Sequence, residues 1–413
     1  MTARTVVVTG LGPVTPIGIG GHDFWQAQLK GVSGIRPITR FDPTGLPVRI
    51  AGEVDLPAEL APGRREERTT DRCTHLALAA ARLALDDAAL DLADEDRDRV
   101  GVVLGTGAGG AASWERNARL LETSGPTRIG ARSVVMSMAN GSASHIALTF
   151  HITGPSTSVV SACASGAEAL VTAHQMIVGG EADVVLAGGA EAPVTPLLVG
   201  GFARTGALCT LNEEPRHASR PFSADRAGFV LAEAAAVLVL ESQEHARARG
   251  ATVLATLSGY GRSSDAHHVT SPHPEGAGAA RAVRAALRSA GWSAADVDYI
   301  NAHGTGTRYN DAAEAKALRS ALGSHAAHTP VSATKSMTGH SLGAAGAVEA
   351  VVCVQALLHG HVPPTVNLNA VDPDCGLDVV GPQPRALPLT TALSSSFAFG
   401  GHNVVLAFEA ARP

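Results

Sequence analysis

Large rings, lysine, paired cysteines and long apolar runs are all scarce in this sequence, and each scarcity excludes something. Aromatic residues make up 4% of the 413 residues, while glycine alone contributes 45. The core is therefore expected to rest on close backbone packing and tight turns rather than on stacked rings. The five cysteines (Cys73, Cys163, Cys209, Cys353 and Cys375) are odd in number and scattered, with no C-x-x-C pair. That argues against a disulfide framework and against a metal site, and fits a reducing cytoplasm. No uninterrupted apolar run reaches the roughly 18 residues expected of a membrane span. The N-terminal MTARTVVVTGLG runs into a strand and a glycine turn, without the pattern of a signal peptide. The net charge of −6 gives no support to nucleic-acid binding, and an acidic partner would need a local basic patch.

What is present is the pattern of a layered α/β enzyme. Hydrophobic content of 45% with 17% charge is ordinary for a folded chain of this length. Short β-branched runs, among them Thr5–Thr9, Val100–Leu104, Ser158–Ser161, Asp183–Ala187, Ala236–Leu240, Thr252–Gly259, Val297–Asn301, Pro330–Ala333, Ala392–Ser395 and Asn403–Glu409, read as strands buried on both faces. Ala164–Val178 and Ala344–Leu358 read as helices closing on Gly179–Gly180 and Gly360. VGVVLGTGAGG and VDYINAHGTGT each read as a strand followed by a Gly-rich turn. They suggest a duplicated fold, residues 1–250 and 251–413, with a seam near 250. Pro57–Arg72, with four arginines, reads as an exposed loop.

Three regions carry candidate chemistry. VVSACASGAEAL sets Cys163 between an apolar strand and a helix, among small residues that a strained elbow would require. A thiol there meets helix N-terminal N–H dipoles that favour the thiolate, the form that attacks a thioester. The alternative is a small buried hydrophobe, the usual fate of a cysteine. His303 in NAHGTGT follows a predicted strand, and His340 in KSMTGHSLGAAG precedes a predicted helix. Only three lysines exist, Lys30, Lys316 and Lys335. Lys335, inside a Ser/Thr/Gly turn, would need a buried carboxylate, for which Glu349 is the candidate. Asp311 and Glu314 show D-x-x-E spacing, which is also that of a helix capping box.

SACASG, NAHGTGT, ATKSMTGH-x-LGAAG and SFAFGGHN, in this order over nearly the whole chain, resemble the elongating β-ketoacyl-acyl-carrier-protein (ACP) synthases, including the ketosynthases of type II polyketide systems. The resemblance implies a thiolase fold, five αβαβα layers built from two similar halves, dimeric across the strand near Ser156–Val160. It implies that Cys163 takes an acyl group from ACP, with the N–H groups of Cys163 and Phe399 as oxyanion hole. His303 and His340 would then stabilise the enolate formed when malonyl-ACP loses CO₂. Lys335 with Glu349 would hold His340, supported by Glu314 and Asp311. Phe399 would gate the site with Gly400 beside it, and a loop from Asp265 to Ser271 would move with it. Phe202, Thr305 and Thr307 would line the tunnel for phosphopantetheine and acyl chain, and no cofactor would be bound permanently. Arg65, Arg68 and Arg128 would meet the acidic carrier protein, or would be solvated surface arginines.

Departures from the family pattern point to substrate. Ala108 replaces the bulky aliphatic often found at the end of the acyl pocket, and Ser133 an aromatic at the dimer seam. Ala398 in FAFGGHN replaces a commoner glycine and would stiffen the gate. These features suggest a long, rigid or unsaturated chain, as in polyene-forming type II polyketide systems that pair the ketosynthase with a chain-length factor. The rival is a homodimeric fatty-acid condensing enzyme. A non-catalytic chain-length factor would lack Cys163, and a thiolase or initiating synthase would carry a different histidine, asparagine or cysteine set.

Overall fold

The valine-rich runs do form strands buried on both faces, and alternation along each strand decides which layer it touches. A computed structural model describes residues 4–411. In the first half, β1 (Val6–Thr15), β2 (Val100–Gly105), β3 (Ser156–Val159), β4 (Val184–Glu191) and β5 (Ala234–Ser242) lie in the order β1–β5–β4–β2–β3. In the second, β6 (Ala255–Ser264), β7 (Tyr299–Asn301), β8 (Pro330–Ser332), β9 (Asp378–Val379), β10 (Thr391–Ala398) and β11 (His402–Ala410) lie in the order β6–β11–β10–β7–β8–β9. The two topologies repeat. In each half the first strand pairs antiparallel with the last, and the last antiparallel with the one before it. That strand in turn runs parallel to its next neighbour. Val7 opposite Thr256 and Val8 opposite Ala255 join the halves.

Helices separate and cover these sheets. α1 (Arg72–Asp87) packs on the outer face of the first sheet, against Val102 and Leu104. α4 (Ala277–Ala290) and α5 (Arg308–Leu322) cover the outer face of the second, against Val405 and Ala407. Between the sheets lie α3 (Ser165–Val178) and α6 (Ala345–His359), which meet Val103, Val404 and Leu406 from the inward faces. The result is a five-layer αβαβα thiolase fold. Residues Leu342–His359, including α6, have a mean hydropathy of 1.6 over 18 residues, apolar and long enough to cross a membrane, yet 89% of the segment is buried inside this core.

Several boundaries differ from expectation. β3 starts at Ser156 and stops at Val159, because Ser161–Ala164 bends into a tight turn. The stretch expected as an exposed loop, Pro57–Arg72, holds a short helix at Arg64–Glu67, and Arg72 is no free surface charge. It grips the buried Glu233 through two contacts of 2.7 Å, which a buried carboxylate requires.

α3 and α6 cross where both carry glycine. A Cβ added to Gly166 would sit 2.9 Å from Ala347 N, and one added to Gly346 would sit 2.8 Å from Ala167 N. The reciprocity places a pseudo-twofold axis through this contact. The turn Ser161-Ala162-Cys163-Ala164 entering α3 thereby faces Ser341-Leu342-Gly343-Ala344 entering α6. Gly346→Val is expected to destabilise the fold by about 1–3 kcal/mol or more, read as a lower urea midpoint at unchanged slope. An unchanged midpoint would show that the crossing tolerates a side chain.

Candidate active site

Cys163 sits in the 3₁₀ turn before α3, and Ala162 ahead of it adopts φ 50°, a left-handed conformation that costs a non-glycine residue energy. Ser165 holds that turn. Its Oγ accepts the Ser161 N–H at 2.8 Å and lies 2.7 Å from Ala162 O and 3.1 Å from Thr106 O. Cys163 is only 7% exposed. Its sulfur faces its own N–H and that of Phe399.

These groups share a cavity of about 470 Å³ with His303, His340, Phe202, Thr305, Thr307 and Phe399. Asp265 and Ser271 line its wall. The imidazoles of His303 and His340 stand edge to face, centroids 5.3 Å apart, and Phe229 packs edge-on against His340 at 5.3 Å. Phe202 lies 6.5 Å from Phe399, ring to ring. Leu342, from the second elbow, completes the wall.

Lys335 is buried and reaches His303, not His340 as expected. Its Nζ donates to His303 O at 2.6 Å, lies 3.3 Å from His303 Nδ1 and pairs with Glu349. His340 is instead placed by its backbone, which bonds Val230 O at 2.7 Å and the N–H of Ala232 at 3.0 Å. The physical reason is geometric: Lys335 opens a helical turn on β8, beside β7 and the His303 loop, whereas His340 has passed on to the strand-like segment at Leu231. Asp311 and Glu314 form no capping box, since Thr307 caps α5. Glu314 accepts the N–H groups of His303 and Gly304, both at 2.8 Å. Asp311 accepts those of Phe222 and Gly306. Both carboxylates therefore shape the loop that carries His303.

The gate is bonded to the neighbouring loop. Gly400, at φ 81°, donates its N–H to Val269 O at 2.7 Å, Asp265 N–H reaches Gly401 O, and Asn403 reaches the Asp265 carboxylate at 2.8 Å. Ala398 is the last residue of β10 with extended backbone (φ −114°), a conformation that asks for no glycine.

Ala108 and Ser133 lie away from the main cavity. Ala108 sits in the loop after β2, and the neighbouring Gly109 and Gly110 press on Ala139 and Met136. Ser133 opens a short helix, α2 (Ser133–Ser137), and borders a separate surface hollow with Arg68, Arg116 and Arg132. Arg65, Arg68 and Arg128 are exposed. Sequence reasoning missed Phe229, Phe397, Leu342 and Asn403 as lining residues, and Glu191, which accepts the N–H of Gly343 beside Leu342. Glu191, a lone acid among small residues at a strand's end (AGGAEAP), was the one with a readable signal.

Electrostatics correct one more expectation. Burial pushes the Cys163 thiol up to about 12, outweighing Lys335 and the two N–H groups that favour the thiolate. Burial, then Lys335, holds His303 and His340 well below the ordinary imidazole range, so both are neutral near pH 7. Burial raises Glu349 to about 7 and Glu314 to about 8.

An elbow cysteine under two backbone N–H groups, beside two neutral imidazoles in a thiolase fold, is the arrangement of an acyltransferase. Residues 3–246 match the β-ketoacyl synthase N-terminal domain, and residues 254–369 its C-terminal domain. The chain belongs to the β-ketoacyl synthase family. It is 45% identical to a 3-oxoacyl-[acyl-carrier-protein] synthase 2 of Synechocystis and 44% identical to that of Coxiella burnetii, over 98% of each chain. Among solved structures, the ishigamide ketosynthase/chain length factor superposes with TM-score 0.93 at 36% identity, over 100% of both chains. A type II polyketide ketosynthase, bound to the hexaketide and in complex with its acyl-carrier protein, superposes with TM-score 0.91 at 35% identity over 99% of this chain and 100% of that one.

With its thiol raised to about 12, Cys163 in the free enzyme is expected to alkylate with iodoacetamide at a rate that climbs with pH, without a plateau below about pH 10. A plateau near neutrality, read by intact mass, would mean a preformed thiolate.

Proposed function

We propose that the chain is a β-ketoacyl-ACP synthase in which Cys163 accepts the acyl group and the two histidines process malonyl-ACP. The observation that carries it is the placement of Cys163, His303 and His340 around one cavity, with two N–H donors on the sulfur. Cys163 Sγ attacks the acyl thioester carbon, the oxyanion is received by the N–H groups of Cys163 and Phe399, and phosphopantetheine leaves as the thiol. The proton on Cys163 passes to a neutral imidazole and on to the leaving thiol. Because the Lys335 ammonium stands at His303 Nδ1, the His303 proton belongs on Nε2, leaving a donor for the cavity. Malonyl-ACP then loses CO₂. The electron pair of the broken C–C bond forms an enolate whose oxygen accepts from His303 and His340. Its carbon attacks the acyl-cysteine, the C–S bond to Cys163 breaks to release 3-oxoacyl-ACP, and the expelled thiolate takes a proton from water to restore the thiol.

The partner surface is read from an unpaired edge. β3 is the last strand of its sheet. Close by, Val134 is 61% exposed, Val135 53% and Val160 58%. An open strand beside an apolar patch invites a second strand across a twofold axis. The Thr106–Gly110 loop, which carries Ala108, touches both β3 and α2, so a partner on this face would also lie beside Ala108. The curated relatives named above are 3-oxoacyl-ACP synthases, which supports the reading of an elongating synthase; a second copy of the chain across this edge would make the homodimeric, fatty-acid form of it. The small Ala108 beside this face supports a second reading: a type II polyketide ketosynthase for a long or polyunsaturated chain, paired with a chain-length factor.

Intact-protein mass spectrometry separates these. Saturated acyl-ACP is expected to leave an acyl adduct that Cys163→Ala abolishes, and malonyl-ACP then to yield 3-oxoacyl-ACP. An adduct that forms only with a chain-length factor or a polyenoyl substrate supports the polyketide reading; no adduct under any of these conditions rejects the synthase. Exchanging Arg65, Arg68 and Arg128 together for glutamate is expected to raise KM for ACP substrates by about tenfold with kcat little changed, since these charges steer encounter. Unchanged KM would remove them from the carrier-protein surface.

A further inference from the structure

The second elbow contains an anion site of its own, and a carboxylate of the chain occupies it. Leu342 has φ 44° where Ala162 has φ 50°, and Gly343 stands where the first elbow has Cys163. At the first elbow the Cys163 N–H faces its sulfur. At the second, the Gly343 N–H donates to Glu191 Oε2 at 3.0 Å. A Cβ at Gly343 would lie 2.5 Å from that oxygen and 2.3 Å from Gly107 N, so glycine is required there. Glu191 is the last residue of β4, as Ala398 is of β10.

Glu191 is wholly buried and, among the described residues, forms no ion pair. Four donors hold it instead. Oε2 takes the N–H groups of Gly343 and Gly107 (2.5 Å), and Oε1 takes Ala108 N–H at 3.1 Å and Thr106 Oγ1 at 2.9 Å. Two of these connections lead to the reacting groups. Gly343 lies three residues after His340, and Leu342 lines the cavity. Thr106 O meets Ser165 Oγ, which fixes Ser161 and Ala162 and hence the Cys163 turn.

We propose that Glu191 is a positioning residue that sets the separation of Cys163 from His340 by tying the two elbows to one buried carboxylate. The inference rests on the reading of Cys163 and His340 as reacting groups. A carboxylate suits the task because it accepts at both oxygens, whereas an amide turns an N–H₂ toward donors. Misplacement of reacting groups by about 1 Å costs on the order of 100-fold in rate.

The test compares wild type with Glu191→Gln and Glu191→Ala, using acyl-ACP and malonyl-ACP, with active sites counted by Cys163 alkylation. Loss of about tenfold in kcat for Glu191→Gln and about 100-fold for Glu191→Ala, with KM within about threefold, supports the proposal. A purely structural role would lower the melting temperature and leave kcat per titrated site unchanged, and that result overturns it. If neither variant folds, Thr106→Val decides: it keeps the branched shape and removes one donor to Glu191. A several-fold fall in kcat at constant KM then supports positioning, and wild-type kcat overturns it. Failure of the wild type to acylate Cys163 is a separate result, which strikes the underlying reading instead.

Discussion

The two central helices cross at glycines, and the site depends on that close crossing. Gly166 and Gly346 let α3 and α6 pass with backbone nearly touching backbone. Each helix is entered by a tight turn with a positive-φ residue, so the crossing sets two elbows side by side at the same edge of the paired sheets. One elbow delivers Cys163 and the other follows His340. Larger side chains at the crossing would separate the halves and, with them, the reacting groups. The abundance of glycine and the scarcity of rings are the compositional form of this constraint.

The reacting groups are buried in this interior, and their electrostatics follow from that. Burial alone would keep Cys163 protonated and both histidines neutral, and it does. Lys335, the one buried lysine among the described residues, pairs with Glu349 and lies against His303 Nδ1. Glu314 and Glu191, which form no ion pair among the described residues, are held by N–H groups at loops. Buried carboxylates satisfied by backbone donors fix loop shape more tightly than they add charge, which suits a site whose loops must hold two histidines and a thiol in register.

The duplicated architecture divided its roles. Both elbows retain the strained turn and the N–H that points at an acceptor. Only one retains a side chain there. The other closes over a glutamate, converting an anion hole into a structural joint. On the outer side, β3 and α2 leave an edge and an apolar patch next to the loop that carries Ala108.

The amino-acid sequence by itself determined the layered α/β class, the two central helices and most strands. Buried strands and helices announce themselves by uninterrupted apolar runs and by glycines at their ends. It also determined which residues to watch, since a cysteine in a turn of small residues, two histidines after strands and a lone lysine in a polar turn are costly placements without a purpose. The tertiary structure decided what each of these touches. The family resemblance implied that Lys335 holds His340, yet parallel pairing of β7 with β8 brings it to His303, thirty-two residues away in the chain. Asp311 and Glu314 matched a capping pattern, but the helix begins at Arg308, and their carboxylates serve a loop that only folding brings beneath them. Cys163 looked like a thiolate from its helix, and burial by residues remote in sequence reversed that. Local pattern encodes local hydrogen bonds; desolvation and long-range contact are properties of the packed whole.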